Sequence, residues 1–107
     1  MSVFAFIVTY NRLNLLKEVL IALRSQTYPL DKIIVINNSS TDGTEEWLAT
    51  QDALIVIKQP NIGGAGGFET GVRYCFENGA DWIWMMDDDV FPNSDCLERL
   101  ISYKDEA

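Results

Sequence analysis

The chain has 107 residues, of which 48% are apolar, and this suits one small globular domain with a modest core. Its net charge of −8 argues against a nucleic-acid-binding surface, which normally carries a basic patch. The chain contains no histidine, so histidine catalysis, a Ser-His triad and histidine-ligated zinc are all excluded within it.

The two cysteines, Cys75 and Cys96, stand far apart without a Cys-x-x-Cys motif. We expect them to be reduced core thiols of a cytosolic protein rather than a disulfide. The N-terminus runs directly into a predicted strand, so we expect neither a signal peptide nor a membrane span. These features favour a cytoplasmic location, with the full-length protein either free or peripheral at the inner face of the membrane.

Apolar, β-rich segments alternate with segments of helical periodicity along the chain. The predicted strands are 3–10, 32–36, 54–58 and 81–86, and all but the third are predicted to be buried. The predicted helices are 13–23, 44–50, 65–78 and a last one that begins after an N-cap at Ser94. This order, without repeat or linker, predicts a single α/β domain with a mainly parallel, Rossmann-like sheet and helices on both faces.

Each predicted strand is followed by a polar or glycine-rich cluster. The clusters are residues 9–12, 37–42, 61–67 and 87–89. Because the carboxyl ends of parallel strands lie at one edge of a sheet, the four clusters should converge there. Convergence of this kind predicts a binding site at that edge.

The last predicted strand ends in three consecutive carboxylates, Asp87, Asp88 and Asp89. Its five large apolar residues, 82–86, indicate a strand buried on both faces, with Trp82 and Trp84 in the core. Adjacent carboxylates repel one another and are costly to bury, and a hard divalent cation is their natural counter-charge. The alternative is a solvated acidic loop.

Other polar residues allow a structural interpretation as well as a functional one. Segment 37–42 is rich in N-cap residues and also suits a helix-capping loop. Arg12 suits a solvated residue at a helix start, and Tyr10 and Trp47 favour packing over recognition. Glycines 63–67 suit either a flexible loop or a close approach of the backbone to a ligand or a neighbouring strand.

Several rival sites fail on spacing. A dinucleotide-binding motif needs G-x-G-x-x-G after the first strand, where the chain reads T-Y-N-R-L. A P-loop needs Gly-Lys, which does not occur, and a response regulator needs an aspartate after the first strand. A calcium loop that starts at Asp87 would need glycine where Pro92 stands. A metal-dependent site for a nucleotide sugar remains.

Four segments together resemble the N-terminal half of a family 2 glycosyltransferase with the GT-A fold. They are T-Y-N-R at 9–12, I-N-N-S-S-T-D-G-T at 36–44, P-N-I-G-G-A-G-G-F at 60–68 and W-M-M-D-D-D at 84–89. The glycine-rich segment lacks the arginine of the commoner N-x-G-x-x-x-A-R-N pattern. It looks more like the galactofuranosyl- and rhamnosyltransferase branch, which favours UDP-galactofuranose or dTDP-rhamnose as donor.

The resemblance implies a role for each matching residue. Asp87 and Asp89 would be the D-x-D carboxylates that hold Mn²⁺ or Mg²⁺ against the sugar-nucleotide diphosphate, with Asp88 near the ribose or sugar. Asn38 stands where many members have an acidic residue that faces the pyrimidine base, and it loses that charge. The remaining positions assigned to nucleotide-sugar binding are Thr9, Tyr10, Asn11, Arg12, Asp42 and Gly64.

The resemblance also implies the reaction, which is inverting transfer of a sugar from a UDP- or dTDP-sugar to a hydroxyl of an acceptor glycan or lipid-linked glycan. The general base of such enzymes lies beyond the D-x-D motif, and no residue of this chain matches it. We therefore expect a truncated donor-binding half that is inactive alone and self-associates through its exposed face. The alternatives are a non-catalytic nucleotide-sugar or metal-binding module, a small α/β partner subunit, or an α/β fold with an incidental acidic tip.

Overall fold

The chain folds into four strands and four helices that alternate along the sequence, and the computed structural model describes residues 1–61 and 64–103. The strands are β1 (Val3–Thr9), β2 (Lys32–Asn37), β3 (Ile55–Lys58) and β4 (Trp82–Asp87). The helices are α1 (Leu13–Arg24), α2 (Thr44–Leu48), α3 (Gly64–Glu77) and α4 (Cys96–Ser102). The predicted alternation of strands and helices is confirmed, with small differences at the ends of the elements.

The strands form one parallel sheet in the order β3-β2-β1-β4. All seven residues of β1 are buried, because the strand has a neighbour on each side and a layer of side chains on each face. In register, Phe6 of β1 pairs with Ile34 of β2 and with Met85 of β4. The predicted parallel α/β sheet is confirmed.

Two apolar cores cover the two faces of the sheet, so the prediction of helices on both faces is confirmed. Alternate side chains of β1 and β2, such as Ile7 and Val35, pack with Leu20 of α1. On the opposite face, Phe6 and Ile36 pack with Cys75 of α3. Both cores therefore depend on β1.

Helix α3 lies very close to β1. A Cβ atom added at Gly71 would lie 2.4 Å from the ring of Phe6, which is fully buried. Only glycine permits so close an approach of the helix backbone to the strand. The helix thereby brings its first turns over the carboxyl end of the sheet.

Strand β4 differs from its prediction. Within the described residues it pairs with β1 alone, and Trp82 and Met85 are 42% and 53% exposed. The predictions that β4 is buried on both faces and that Trp82 is a core residue are therefore wrong for the described part of the chain. Trp84 is half-buried and packs against the core beneath α1.

The start of α4 also differs from its prediction. The helix begins at Cys96 with Asp95 as its N-cap, so the assignment of Ser94 as N-cap is wrong. The Gln26 side chain instead forms hydrogen bonds with the backbone at the start of α4. Its Nε2 donates to the Asn93 carbonyl at 2.8 Å, and its Oε1 accepts from the Leu97 N–H at 3.0 Å. A contact between distant segments thus replaces a local cap.

Both cysteines are free, as predicted. Cys75 is buried beneath α3, and burial raises the pKa of its thiol. Cys96 is only half-buried, so its placement in the core is wrong. Among the helices of the described segments, none has the length and apolarity needed to cross a membrane.

Candidate functional site

The loops that follow the strands meet at the carboxyl edge of the sheet and bound an open cleft with a volume of about 470 Å³. Each of the four predicted polar clusters contributes at least one lining residue, so their convergence is confirmed. The described lining residues are Val8, Thr9, Tyr10, Arg12, Asn38, Asn61, Phe68, Asp87, Asp88 and Asp89. Because all four strands are parallel, the loops that follow them lie at this one edge of the sheet.

The three adjacent aspartates have different environments. Asp88 turns inward and is 6% exposed, where its Oδ2 accepts a hydrogen bond of 3.0 Å from the Thr9 hydroxyl. Arg12 Nη1 donates to Asp88 Oδ1 at 3.3 Å and lies 3.8 Å from Asp89 Oδ2. Asp87 and Asp89 are exposed at the mouth of the cleft.

The cleft carries an excess of negative charge. Among the described residues that line it, Arg12 is the one basic side chain, and it faces three carboxylates. Exposed carboxylate oxygens suit Mg²⁺ or Mn²⁺, which also take ligands from water and substrate phosphates. In residues 1–61 and 64–103, no three His, Cys, Asp or Glu side chains are grouped to hold a metal ion. The role of Asp87 and Asp89 as metal ligands stays a prediction.

Arg12 and Tyr10 both face the cleft. The backbone of Arg12 forms the N-cap of α1, but its side chain is paired with Asp88 and is not merely solvated. Tyr10 is 45% exposed and lines the cleft, so the expectation that it serves mainly packing is wrong. Trp47, in contrast, is half-buried against the core beneath α1, with Lys17 Nζ 5.4 Å from its ring centroid.

Asn11 belongs to the cluster 9–12, but it contacts the loop that follows β2 rather than the cleft. It adopts a left-handed backbone conformation, with φ of 50°, beside the loop that follows β2. Its Oδ1 accepts a 2.7 Å hydrogen bond from the Thr41 N–H, and its own N–H donates to Ser40 Oγ at 3.0 Å. The described lining of the cleft does not include Asn11, which instead joins two neighbouring loops.

Asp42 joins the same two loops from the other side. Its carboxylate accepts hydrogen bonds from the Leu13 N–H at 3.1 Å and from the N–H and hydroxyl of Thr44. The Thr44 hydroxyl, followed by the backbone N–H groups, lowers the pKa of Asp42. Asp42 thus caps the first turns of α1 and α2, as the capping interpretation of 37–42 predicts, and the described lining of the cleft does not include it.

At the end of β2, the lining residue Asn38 is backed by uncharged polar side chains that lie outside the described lining. Asn38 is 2% exposed, and its Oδ1 accepts a hydrogen bond of 2.9 Å from Gln59 Nε2. Gln59 Oε1 in turn accepts a hydrogen bond of 2.7 Å from the Thr70 hydroxyl of α3. Sequence reasoning missed Gln59 and Thr70, because no motif connects polar residues on three separate elements.

The glycine-rich segment lies mainly within α3. Residues 64–67 belong to the helix, which begins at Gly64, so the flexible-loop interpretation is wrong for them. A Cβ atom at Gly67 would lie 2.5 Å from Val8 Cγ1, so close approach to a neighbouring strand explains this glycine. Gly63 lies outside the described residues.

Phe68 lines the cleft, and the sequence analysis did not identify it as a site residue. Its ring lies 5.7 Å from that of Phe6 in an edge-to-face arrangement. Phe68 is partly buried and packs against the core that contains Phe6 and Cys75. Its position at the start of α3 also brings one side of the ring to the cleft.

Comparisons with known proteins agree on one family. The sequence model of the family described as "Glycosyl transferase family 2" matches residues 4–107. The chain is 37% identical over 101 residues to galactofuranosyltransferase GlfT1 of Mycolicibacterium smegmatis, a match that covers 92% of this chain and 33% of the relative. The chain therefore spans about a third of the length of this relative.

Solved structures show the same fold. TarS 1-349 of S. aureus in complex with UDP superposes with a TM-score of 0.82 at 23% identity, over 99% of this chain and 32% of that one. Mannosyltransferase PcManGT from Pyrobaculum calidifontis, in complex with GDP-Man and Mn²⁺, gives a TM-score of 0.76 at 26% identity. This second match covers 95% of this chain and 32% of that one.

Proposed function

From the premise that the chain belongs to glycosyltransferase family 2, we propose that it forms the donor-binding part of an enzyme that transfers a sugar from a nucleoside diphosphate sugar. The observation that carries the proposal is the cleft, where Asp87 and Asp89 stand exposed beside a pocket for a ligand of nucleotide size. The similarity to a galactofuranosyltransferase supports UDP-galactofuranose as the donor.

We assign different tasks to the three aspartates. Asp87 and Asp89 would hold Mn²⁺ or Mg²⁺ against the donor diphosphate, and the Mn²⁺ in the PcManGT complex supports a divalent cation. When bound, the cation would neutralise charge that develops on the leaving diphosphate. Asp88 is occupied by Thr9 and Arg12, and its task is to fix the loop that presents the other two.

The nucleoside is proposed to lie across the ends of β1 and β2. Strand β1 lies between β2 and β4 in the sheet, so the ends of β4 and β2 are two strand spacings apart, about 10 Å. An extended nucleoside bridges a distance of this order. Its base would then reach Asn38, while the exposed ring of Tyr10 is available to cover the ribose or the base.

The general base and the acceptor site are proposed to lie outside the described residues. Inversion of the anomeric centre needs a carboxylate base on the acceptor hydroxyl. In the cleft, Asp88 is engaged and Asp87 and Asp89 are assigned to the metal, so we propose that the base and the acceptor glycan site belong to a further part of a longer protein. The relatives, about three times as long as the match, are consistent with this division.

Titration calorimetry of UDP and dTDP tests the proposal, with and without Mn²⁺, on the wild type and on Asp87→Asn/Asp89→Asn. We expect binding that requires Mn²⁺ and is lost in the double variant. The matched control is Asp52→Asn/Glu77→Gln, which removes two exposed carboxylates that are not part of the described cleft lining. Its binding should equal that of the wild type.

Two results would contradict the proposal. A folded wild type that binds neither nucleotide in the presence of Mn²⁺ would remove the donor site. Equal, metal-dependent binding by the wild type and by Asp87→Asn/Asp89→Asn would leave the nucleotide site but remove the two carboxylates as metal ligands.

A further inference from the structure

Gln26 connects the end of α1 to the segment that follows the aspartates. Its Nε2 donates to the Ala22 carbonyl at 3.0 Å and to the Asn93 carbonyl at 2.8 Å, and its Oε1 accepts from the Leu97 N–H at 3.0 Å. Backbone carbonyls only accept and backbone N–H groups only donate, so these partners fix the orientation of the amide. The half-buried Gln26 side chain thus holds the start of α4 in one position.

Thr27 adds two contacts to the same segment. Its backbone N–H donates to the Ser94 carbonyl at 2.7 Å, and its hydroxyl donates to Glu98 Oε2 at 2.9 Å. We call the contacts of Gln26 and Thr27 with residues 93–98 the Gln26 clamp. The described lining of the cleft includes neither Gln26 nor Thr27, so the clamp does not touch a ligand there.

The Gln26 clamp lies a short distance along the chain from the aspartates. The Val90 N–H donates to the Asp87 carbonyl at 3.4 Å and closes the turn that contains the other two aspartates. The first clamped residue, Asn93, is only four positions after Asp89, and a chain of this length spans at most about 14 Å. Pro92, with its fixed φ, restricts the connection further. The turn is therefore held from both sides, by β4 and by the clamp.

The contacts of Asp88 do not replace the clamp. Thr9 and Arg12 hold the Asp88 carboxylate, but these hydrogen bonds end one residue before Asp89. The Asp89 side chain is 56% exposed, and its Oδ2 lies 3.8 Å from Arg12 Nη1, which is longer than a hydrogen bond. The position of Asp89 therefore depends on the chain that follows it.

We propose that Gln26 is a positioning residue for Asp89, and that the Gln26 clamp holds the aspartate turn in the geometry that receives the cation and the donor diphosphate. The inference rests on the proposed function, since it assumes that Asp89 helps to hold that cation. A turn that is already ordered loses little conformational entropy when the ligand binds, whereas a turn released from the clamp has to be ordered at that moment.

Calorimetric titration of UDP, with and without Mn²⁺, tests the proposal in the 107-residue chain. Gln26→Met keeps the length of the side chain and removes its hydrogen bonds. It should weaken Mn²⁺-dependent UDP binding about fivefold, less than the roughly 10- to 100-fold cost of losing a group that bonds directly to a metal ligand. The matched control is Gln51→Met, the same change at a half-buried amide whose partners are Arg24 and Thr50. Its binding should equal that of the wild type.

A slack connection should uncouple the Gln26 clamp from Asp89. Pro92→Gly leaves the hydrogen bonds of the clamp in place but loosens the link between Asn93 and Asp89, so it should also weaken UDP binding. In the Pro92→Gly background, Gln26→Met should change the affinity by less than about twofold, while it still lowers the melting temperature. A purely structural role of Gln26 would lower the melting temperature in both backgrounds and change the affinity in neither.

The possible failures are distinct. UDP binding by folded Gln26→Met as tight as by the wild type, or weakened no more than by Gln51→Met, would overturn the positioning role and leave the nucleotide site intact. Equal losses from Gln26→Met in the two backgrounds would overturn the route through Pro92. If thermal unfolding shows that Gln26→Met is not folded, unchanged binding by Pro92→Gly overturns the proposal. A folded wild type that binds no nucleotide with Mn²⁺ overturns the proposed function and this inference with it.

Discussion

The two walls of the cleft are built by opposite means. The amide wall, which we define as the lining residue Asn38 with Gln59 and Thr70 behind it, is uncharged, and successive hydrogen bonds connect its side chains. The carboxylate wall, consisting of Arg12 and the aspartates 87–89, is charged and partly exposed. The amide wall is preorganised without a ligand, whereas the carboxylate wall keeps unbalanced charge that a cation would complete. One cleft thus combines a hydrogen-bonded, uncharged wall with a charged one.

The largest effect should come from displacing the amide wall as a whole. In Gly67→Ala, the new Cβ would lie 2.5 Å from Val8 Cγ1 and 3.3 Å from Asn38 Nδ2. We expect the free energy of unfolding to fall by about 2 kcal/mol, as for an overpacked core, less a partial gain in helix propensity. Binding of UDP with Mn²⁺ should be largely lost, and denaturant unfolding and calorimetry measure the two effects.

Val72→Ala is the control for Gly67→Ala. It changes the same helix on its exposed side, where Val72 is 39% exposed, and should leave stability and binding close to those of the wild type. A Gly67→Ala variant with unchanged stability would show that α3 can move away from β1 without cost.

A moderate effect is expected from a change in the carboxylate wall, and here ligand binding should become tighter rather than weaker. Arg12→Gln removes the guanidinium next to Asp88 and Asp89, so Mn²⁺ should bind the nucleotide-free chain more tightly, by about fivefold. The stability should change by less than about 1 kcal/mol, because the Arg12 side chain is 52% exposed. Calorimetric titration of Mn²⁺ alone measures the effect.

Arg73→Gln provides the matched change of charge. Arg73 pairs with Glu69 on the exposed side of α3, at 2.7 Å, and lies outside the described lining of the cleft. If both variants raise the affinity for Mn²⁺ equally, the effect comes from net charge and not from the carboxylate wall.

The smallest expected effect is a pH-dependent change in stability at Asp42, which lies outside the carboxylate wall. Because hydrogen bonds lower its folded-state pKa, Asp42 contributes stability above its unfolded pKa of about 4, and the contribution is lost as the pH falls through the folded-state value. Asp42→Asn should therefore be slightly less stable than the wild type at pH 7, and the gap should narrow below pH 4. Urea unfolding across this range measures it.

Thr44→Val, which removes the largest cause of the lowered pKa, supplies the comparison for Asp42→Asn. In the Thr44→Val background the substitution at position 42 should show a smaller dependence on pH. A gap between the wild type and Asp42→Asn that stays constant from pH 7 to pH 3 would contradict the linkage.

The sheet and the edge that carries the cleft could be predicted from the sequence. Apolar segments of strand length alternating with helical periodicity are local patterns, and the edge follows from the parallel connection alone. The clusters at 9–12 and 87–89 therefore met in the structure as expected. The family resemblance of the motifs is confirmed by the family 2 sequence model, which matches residues 4–107.

The sequence-based predictions that were wrong or incomplete depend on which strands or side chains lie next to a helix or strand in the folded chain. An apolar run such as 82–86 indicates burial, but it does not reveal how many strands will flank it, and here Trp82 is on an edge strand of the described sheet. The inward turn of Asp88 depends on Thr9, which is distant in sequence. The bonds between Asn38, Gln59 and Thr70 likewise depend on tertiary geometry that no local pattern encodes.

The central position of β1 has a consequence for how the chain reaches its folded state. Strand β1 pairs with β2 on one side, but its other partner, β4, is the last of the four described strands to be synthesised. Pairings between segments this far apart are associated with slow folding, because a large loop has to close before the contact forms. Until β4 is synthesised, one edge of the buried strand β1 is therefore unpaired, and such an edge is prone to pair with other chains.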